Sequence, residues 1–230
     1  EVTVITMGPP QAEAVLREAF AMGADRAILL TSRKFAGADT LATSNALAGA
    51  LRVLDFDLVL AGRQAIDGDT AQVGPQVAEK LSLPQVTYAE ELIDINDTEI
   101  TIKRRLERGS EVVVSPLPAL ITVNSSAKEC RPRNAKRVMK FKYALATSEL
   151  HAAEDKAKAF IDERPYLHIV EFGAADVNPD AEQLGLSGSP TKVKKIENVV
   201  FQAKEAKTLT ADDADINSLM VELIAGHTLG

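Results

Sequence analysis

Several things are scarce in this chain, and each scarcity excludes something. It carries one cysteine, Cys130, so neither an internal disulfide nor a cysteine-based metal cluster is available. It has no tryptophan and only 4% aromatic residues, which leaves no evident platform for stacking bases. It has no apolar run of about 18 residues, so no membrane span is expected. No charged-then-apolar leader opens it, and the expected location is cytoplasmic. Its three histidines, His151, His168 and His227, stand far apart with no metal-ligand spacing, and each reads as a surface or structural residue. The net charge of −7 argues against a general nucleic-acid binder.

What is present is an ordinary globular balance. The 230 residues are 46% hydrophobic and 26% charged, enough for one large α/β domain with an appendage. The organising stretch runs from Leu58 to Pro75. Leu58–Ala61 is short, apolar and bounded by Gly62, which predicts a buried strand of a parallel sheet. Val73, Val77 and Leu81 recur every four residues and predict one face of a helix. The polar loop between them ends near Asp69 or Thr70, either of which could accept an N–H of the first helical turn. Strand, loop and helix start together suit a phosphate, because unbonded amides and the positive end of the helix dipole meet there. Many such loops bind nothing, and neither of the two commonest phosphate fingerprints is present.

Around this stretch the chain alternates strand and helix. Val2–Met7 predicts a buried strand, and Gly8-Pro9-Pro10 a break that places proline in the first turn of a helix closed by Gly23. Ala27–Leu30 is the next strand, and Thr31–Gly37 a polar loop. Asp39 or Thr40 caps a helix running to about Val53, with Leu47, Ala50, Leu51 and Leu54 inward. This is β-α-β-α-β-α, a right-handed parallel arrangement. After Pro84 come shorter strands at Val86–Tyr88, Glu90–Ile95, Glu99–Arg105, Glu111–Val114 and Leu120–Val123. Turn signals at Asn96-Asp97 and Arg108–Ser110 mark a hairpin. Lys128–Lys142 is basic within an acidic chain: a solvated helix face, or a docking surface for an acidic partner. Ser148–Ile161 reads as helix, Leu167–Phe172 as strand, and Asp215–Ala225 as a last helix burying Ile216, Leu219, Met220 and Leu223.

Gly62-Arg63-Gln64-Ala65-Ile66-Asp67-Gly68-Asp69-Thr70-Ala71-Gln72-Val73-Gly74-Pro75 closely resembles the signature of the β subunit of electron-transferring flavoproteins. The resemblance extends, with gaps, from residue 1 to about 145 and returns around Gly185–Val193. It implies an α/β fold: a parallel-sheet nucleotide-binding domain of the adenine nucleotide alpha hydrolase-like type, with an added hairpin and a C-terminal arm. The domain would span 1–145 and the arm, wrapping a partner subunit, 146–230. The family has a further strand and helix before Val2, so the chain reads as a fragment whose first segment was left out. In the basic segment, Pro132 stands where the family usually has an aromatic, and Ala127 where some members have a large apolar anchor.

The resemblance assigns the phosphates of an adenine nucleotide to Gly62, Arg63, Gln64, Ala65, Ile66, Asp67, Gly68, Asp69, Thr70, Ala71, Gln72 and Val73. Met7 and Gly8 join them from the first strand. The nucleotide is AMP in ordinary members and FAD in electron-bifurcating ones. Ala36–Ser44 resembles a segment of the bifurcating group, and Gly185–Thr191 resembles that group as well. The FAD-binding form is therefore the expectation, with Asp39, Thr40, Ala42 and Thr43 meeting the cofactor beyond its phosphates. That form takes hydride from NADH. It divides the electrons between a low-potential acceptor such as ferredoxin and, through the FAD of an α subunit, a flavin dehydrogenase of acyl-CoA or 2-hydroxy acid type. No acid–base dyad is required. The alternatives are an ordinary β subunit holding AMP, and a nucleotide-binding regulatory module without a redox role.

Overall fold

A computed structural model of the chain describes residues 1–66, 68–177, 180–193 and 208–226. Asp67 and His227, both singled out above, lie outside the described residues.

The apolar, β-branched runs form strands where expected. β1 (Thr3–Met7) and β2 (Arg26–Leu30) pair in parallel, with Ile5 opposite Ile28. Between them a 3-10 turn at Pro10–Ala12 absorbs the prolines, and α1 (Glu13–Met22) begins only after it. Gly23 ends α1 at φ 121°, a backbone angle that favours glycine. α2 (Thr40–Arg52), β3 (Leu58–Gly62) and α3 (Val73–Leu81) follow. The loop before α2 is less polar than its sequence suggests, because a 3-10 turn at Arg33–Phe35 buries the Phe35 ring.

β4 (Gln85–Ile95) is one long strand rather than two short ones. Register shifts interrupt it after Val86 and after Ala89, and Tyr88 sits at φ 59°. β5 (Glu99–Leu106) and β6 (Gly109–Pro116) complete the hairpin, and β7 (Ala119–Val123) returns to the sheet. Beyond it come α4 (Ala135–Phe141), a two-residue β8 (Leu145–Ala146), α5 (Thr147–Ala152), α6 (Asp155–Asp162), β9 (His168–Phe172) and α7 (Ala174–Val177).

The strands form two sheets, ordered β1-β2-β9-β8 and β3-β7-β4-β5-β6. This corrects the expectation of one parallel sheet through β1, β2 and β3. Among the described residues β1 pairs only with β2, and β3 only with β7. Their outer edges border one cleft of about 790 Å³, with Leu47, Leu51, Val73 and Val77 also lining it. β3 is therefore an edge strand, and Leu60, expected to be buried, is 65% exposed. α2 links the two layers. Ala46 and Ala50 pack into the core under β2, while Leu47 belongs to both that cluster and the α3–β7 cluster of Val77, Ala78 and Leu120.

The expected boundary at 145 falls inside one compact unit that runs from Glu1 to Lys192. β9 lies between β2 and β8, with Leu30 opposite Phe172, so the segment after 145 completes the first sheet. Single-strand patterning showed β9 but not its neighbour. His168 is structural here: its Nε2 lies 2.9 Å from the Thr147 hydroxyl. The second unit spans Val193–Gly230. Its helix α8 (Asp213–Ala225) is capped by Asp212, which accepts the Asp215 amide at 2.8 Å. Ile216, Leu219 and Met220 are exposed, contrary to the expected buried face, and Leu223 is half-buried.

Candidate functional site

β3 ends at Gly62, and the loop to α3 is irregular. Asp69 and Ala71 both take left-handed backbone angles, φ 49° and 54°. For alanine that conformation costs about 1–2 kcal/mol, a strain that clusters at functional sites. Asp69 donates its amide to the Ala65 carbonyl at 3.1 Å, folding the loop on itself. Neither Asp69 nor Thr70 caps α3, as the sequence suggested. The cap position is Gln72, and no side chain caps the helix. The left-handed turn at Ala71 lies between those oxygens and the helix start, which is why they miss it. Pro75 has no N–H to satisfy. The Val73 and Gly74 amides find no acceptor among the described residues.

A cleft of about 650 Å³ opens beside this loop, bordered by Gly62, Arg63, Gln64, Ile66, Asp69, Val123, Asn124 and Ser125. Arg63 is exposed and makes no ion pair among the described residues. Ile66 is 100% exposed, an apolar side chain that no described residue covers. Among the described residues a Cβ added at Gly62 or Gly68 would meet nothing within 4 Å. Gly74 is the opposite case. Its added Cβ would lie 2.6 Å from the Thr122 Cγ2, so this glycine lets α3 sit close on β7.

The start of α2 is the second part of the site, and it is capped by Asp39. Asp39 Oδ1 accepts the amides of Leu41 and Ala42, both at 3.0 Å. Its Oδ2 accepts the amide and the hydroxyl of Thr191, at 3.1 and 2.7 Å. Partial burial pushes this carboxyl up, but the hydrogen bonds from Ala42, Thr191 and Leu41 outweigh it and hold the group below its ordinary 3.8. Ala42 is buried with its amide spent on the cap. Thr43 is half-buried, and its hydroxyl has no partner among the described residues.

The two helix starts meet. The Thr40 hydroxyl donates to Gln72 Oε1 at 3.0 Å and faces Gln76 Nε2 at 3.5 Å. Ser44, fully buried, stands 3.0 Å from Gln76 Oε1. The structure thus joins the start of α2, which also holds Asp39, Ala42 and Thr43, through Thr40 and Gln72 to the 62–73 loop. No bond among the described residues joins Met7 or Gly8 to it, and the Gly8 amide is used on the Leu30 carbonyl at 3.0 Å. Sequence reasoning missed Gln76 and Ser44, whose pairing is tertiary. It missed Asn124 and Ser125 too, though a polar run directly after an apolar strand is a readable signal. Ser189 and Thr191 were noticed only as part of a motif.

The basic segment is partly spent on its own fold. Arg133 pairs with Glu18 at 3.1 Å, and Arg137 donates to the Met22 carbonyl at the end of α1. Lys140 lies 4.3 Å from the centre of the Tyr166 ring.

The profile of a known family, the Electron transfer flavoprotein domain, matches residues 1–147. Electron transfer flavoprotein subunit beta of Clostridium acetobutylicum is 47% identical over 194 residues, covering 84% of this chain and 66% of that protein. The protein of the same name from Thermoanaerobacterium thermosaccharolyticum is 45% identical over 193 residues, 84% of this chain and 65% of its own length. Protein FixA of Rhizobium leguminosarum bv. phaseoli is 41% identical over 234 residues, 98% of this chain and 75% of that protein. The chain spans just under two thirds of the first two relatives. Among the described residues no helix is long and apolar enough to cross a membrane.

Proposed function

We propose that this chain, which belongs to the electron transfer flavoprotein family as a β subunit, holds FAD across the starts of α2 and α3. The observation that carries the reading is the uncapped start of α3. Two amides without an acceptor among the described residues and the positive end of the helix dipole meet there, and Arg63, without an ion pair among the described residues, follows Gly62 in the same loop, which is what a phosphate requires. The open cleft, and the space that a Cβ at Gly68 would enter among the described residues, leave room for a ligand's close approach. Thr40, Gln72 and Thr43 then border the part of the ligand beyond the phosphates.

Bound there, FAD would supply two-electron chemistry with NADH as hydride donor, and single electrons to two acceptors. One acceptor is of low potential, ferredoxin in kind. The other is reached through the flavin of an α subunit and is a flavin dehydrogenase acting on acyl-CoA or 2-hydroxy acid substrates. Two NADH give four electrons, two along each route. The chain's own contribution is to bind, orient and shield. The α3 dipole and Arg63 offset phosphate charge. The Asp39 cap fixes the wall that faces the rest of the cofactor. The exposed apolar face of α8 suits an arm laid on the α subunit.

One observation favours a second reading, an ordinary β subunit holding AMP. Asp39 and the Ala42 amide are already satisfied within the protein, so fewer groups remain for a larger ligand. An anaerobic titration of the full complex with NADH separates the two. Reduction of a low-potential one-electron acceptor, in step with reduction of a high-potential one, supports bifurcation. Electron flow to the high-potential acceptor alone supports the AMP form.

A further inference from the structure

The segment just after α7 is bound to the start of α2 more tightly than packing alone requires. Leu184 is buried against Phe35, Ala46 and Ala50. Gly185 takes φ +52°, and an added Cβ would lie 2.1 Å from the Lys34 carbonyl oxygen. Leu186 donates its amide to the Ala36 carbonyl at 3.0 Å. Ser189 is 5% exposed; its hydroxyl accepts the Asp39 amide at 2.8 Å and donates to the Gly185 carbonyl at 2.7 Å. Thr191 then takes the outer oxygen of Asp39 with both its amide and its hydroxyl. These bonds join residues about 150 positions apart in the chain.

Capping α2 needs only one carboxylate oxygen, and Oδ1 does that alone. The bonds to Oδ2 add something else. They fix the rotation of the carboxylate, and the Ser189 bond fixes the backbone at the same residue. The next residue, Thr40, reaches Gln72 at the foot of the phosphate loop. A loosened Asp39 would therefore move Thr40 and, through it, the place where the two helix starts join.

We propose that Thr191 and Ser189 are positioning residues: the strap 184–191 holds the α2 wall of the nucleotide crevice in place through Asp39. This rests on the reading of the crevice as an FAD site, but its mechanical part stands without it. Neither residue needs to touch the nucleotide.

The test compares Thr191→Val with Thr191→Ser in the full chain, with two readouts. The first is amide hydrogen exchange without added nucleotide. Thr191→Val should exchange Leu41 and Ala42 about two- to tenfold faster, the scale of one lost hydrogen bond, while Ala46–Arg52 are unchanged. Thr191→Ser should restore the slow rate. The second is affinity. Thr191→Val should weaken FAD about threefold or more and AMP less than twofold, because the wall lies beyond the phosphate loop. Unchanged exchange at Leu41 and Ala42 overturns the proposal, as does no rescue by serine, or FAD and AMP weakened equally. If the wild-type chain takes AMP and refuses FAD while Thr191→Val still shows the exchange effect, the FAD reading sinks and the strap is left standing. Ser189→Ala, which removes the Asp39 amide's acceptor, should act in the same direction.

Discussion

The starts of α2 and α3 lie side by side, joined by the Thr40–Gln72 bond, and they are finished in opposite ways. At α2 the Leu41, Ala42 and Thr43 amides all have acceptors in Asp39, and the carboxylate itself is held by Thr191. At α3 no side chain among the described residues caps the helix, and the chain arrives through a left-handed Ala71 that turns Asp69 and Thr70 away from it. A helix end without a partner is costly. Leaving one open at the end of a loop that itself borders a 650 Å³ cleft makes sense where a ligand completes it. On the proposed reading the capped start is a wall and the uncapped start is a socket: the socket would supply attraction for an anion, and the wall would supply selection of what the anion is attached to.

The sharpest way to break this contrast is Gly68→Val. The protein itself has room for the side chain, so folding stability should not change. The ligand's approach should suffer overpacking of about 2–3 kcal/mol, or about thirty- to a hundred-and-fiftyfold in nucleotide affinity. Gly74→Val is the control, because its Cβ meets Thr122 and the loss should appear in the melting temperature instead. If Gly68→Val keeps full nucleotide occupancy, the socket is misplaced.

Removing the socket's charge comes next. Arg63→Ala should cost about 1.5–3 kcal/mol, roughly tenfold or more in affinity, as for a hydrogen bond to a charged group. The loss should shrink as salt rises. Titration of nucleotide into both proteins at two ionic strengths reads it directly, and an equal loss at both would argue that Arg63 only packs.

The wall is tested by Thr40→Val together with Thr43→Val. Two hydroxyls are lost, each worth about 0.5–1.5 kcal/mol, so FAD should weaken about tenfold with AMP nearly untouched. Thr40 also leaves Gln72 Oε1 without its donor, which adds to the loss.

The smallest effect is acid loosening of the wall. The Asp39 carboxyl lies below its ordinary 3.8, so its contribution is complete above that value and is lost as pH falls through the lower folded value. Asp39→Asn should lower stability by about 0.5–1.5 kcal/mol at pH 6, since a neutral amide replaces the carboxylate that bonds Thr191. The difference between the two proteins should close below pH 3.8. Melting curves from pH 6 to pH 3 would show it, and a gap that persists in acid would mean that Asp39's charge is not what holds the strap.

Much of this was legible in the residues. The strand–loop–helix at 58–81 and the Asp39 cap follow from local rules of periodicity and capping, and both are present. The cap of α3 was misread because Asp69 and Thr70 have the right chemistry at a plausible position, and only the backbone angle at Ala71 removes them. The role of the segment after 145 was hidden for a different reason. β9 is short, and the strand pattern of His168–Phe172 does not say that its neighbour is β2, some 140 residues earlier. The Asp39–Thr191 and Ser44–Gln76 bonds are likewise contacts between distant positions, which periodicity cannot reach. Leu60 was misjudged because an apolar run predicts burial, while an edge strand exposes it.

The central claim is that socket and wall together hold FAD. Its most direct test is to purify the native complex, denature it, and count the nucleotides released per heterodimer. The account predicts two FAD and no AMP. One FAD and one AMP would contradict it, assigning the socket to a monophosphate and the wall to no ligand at all.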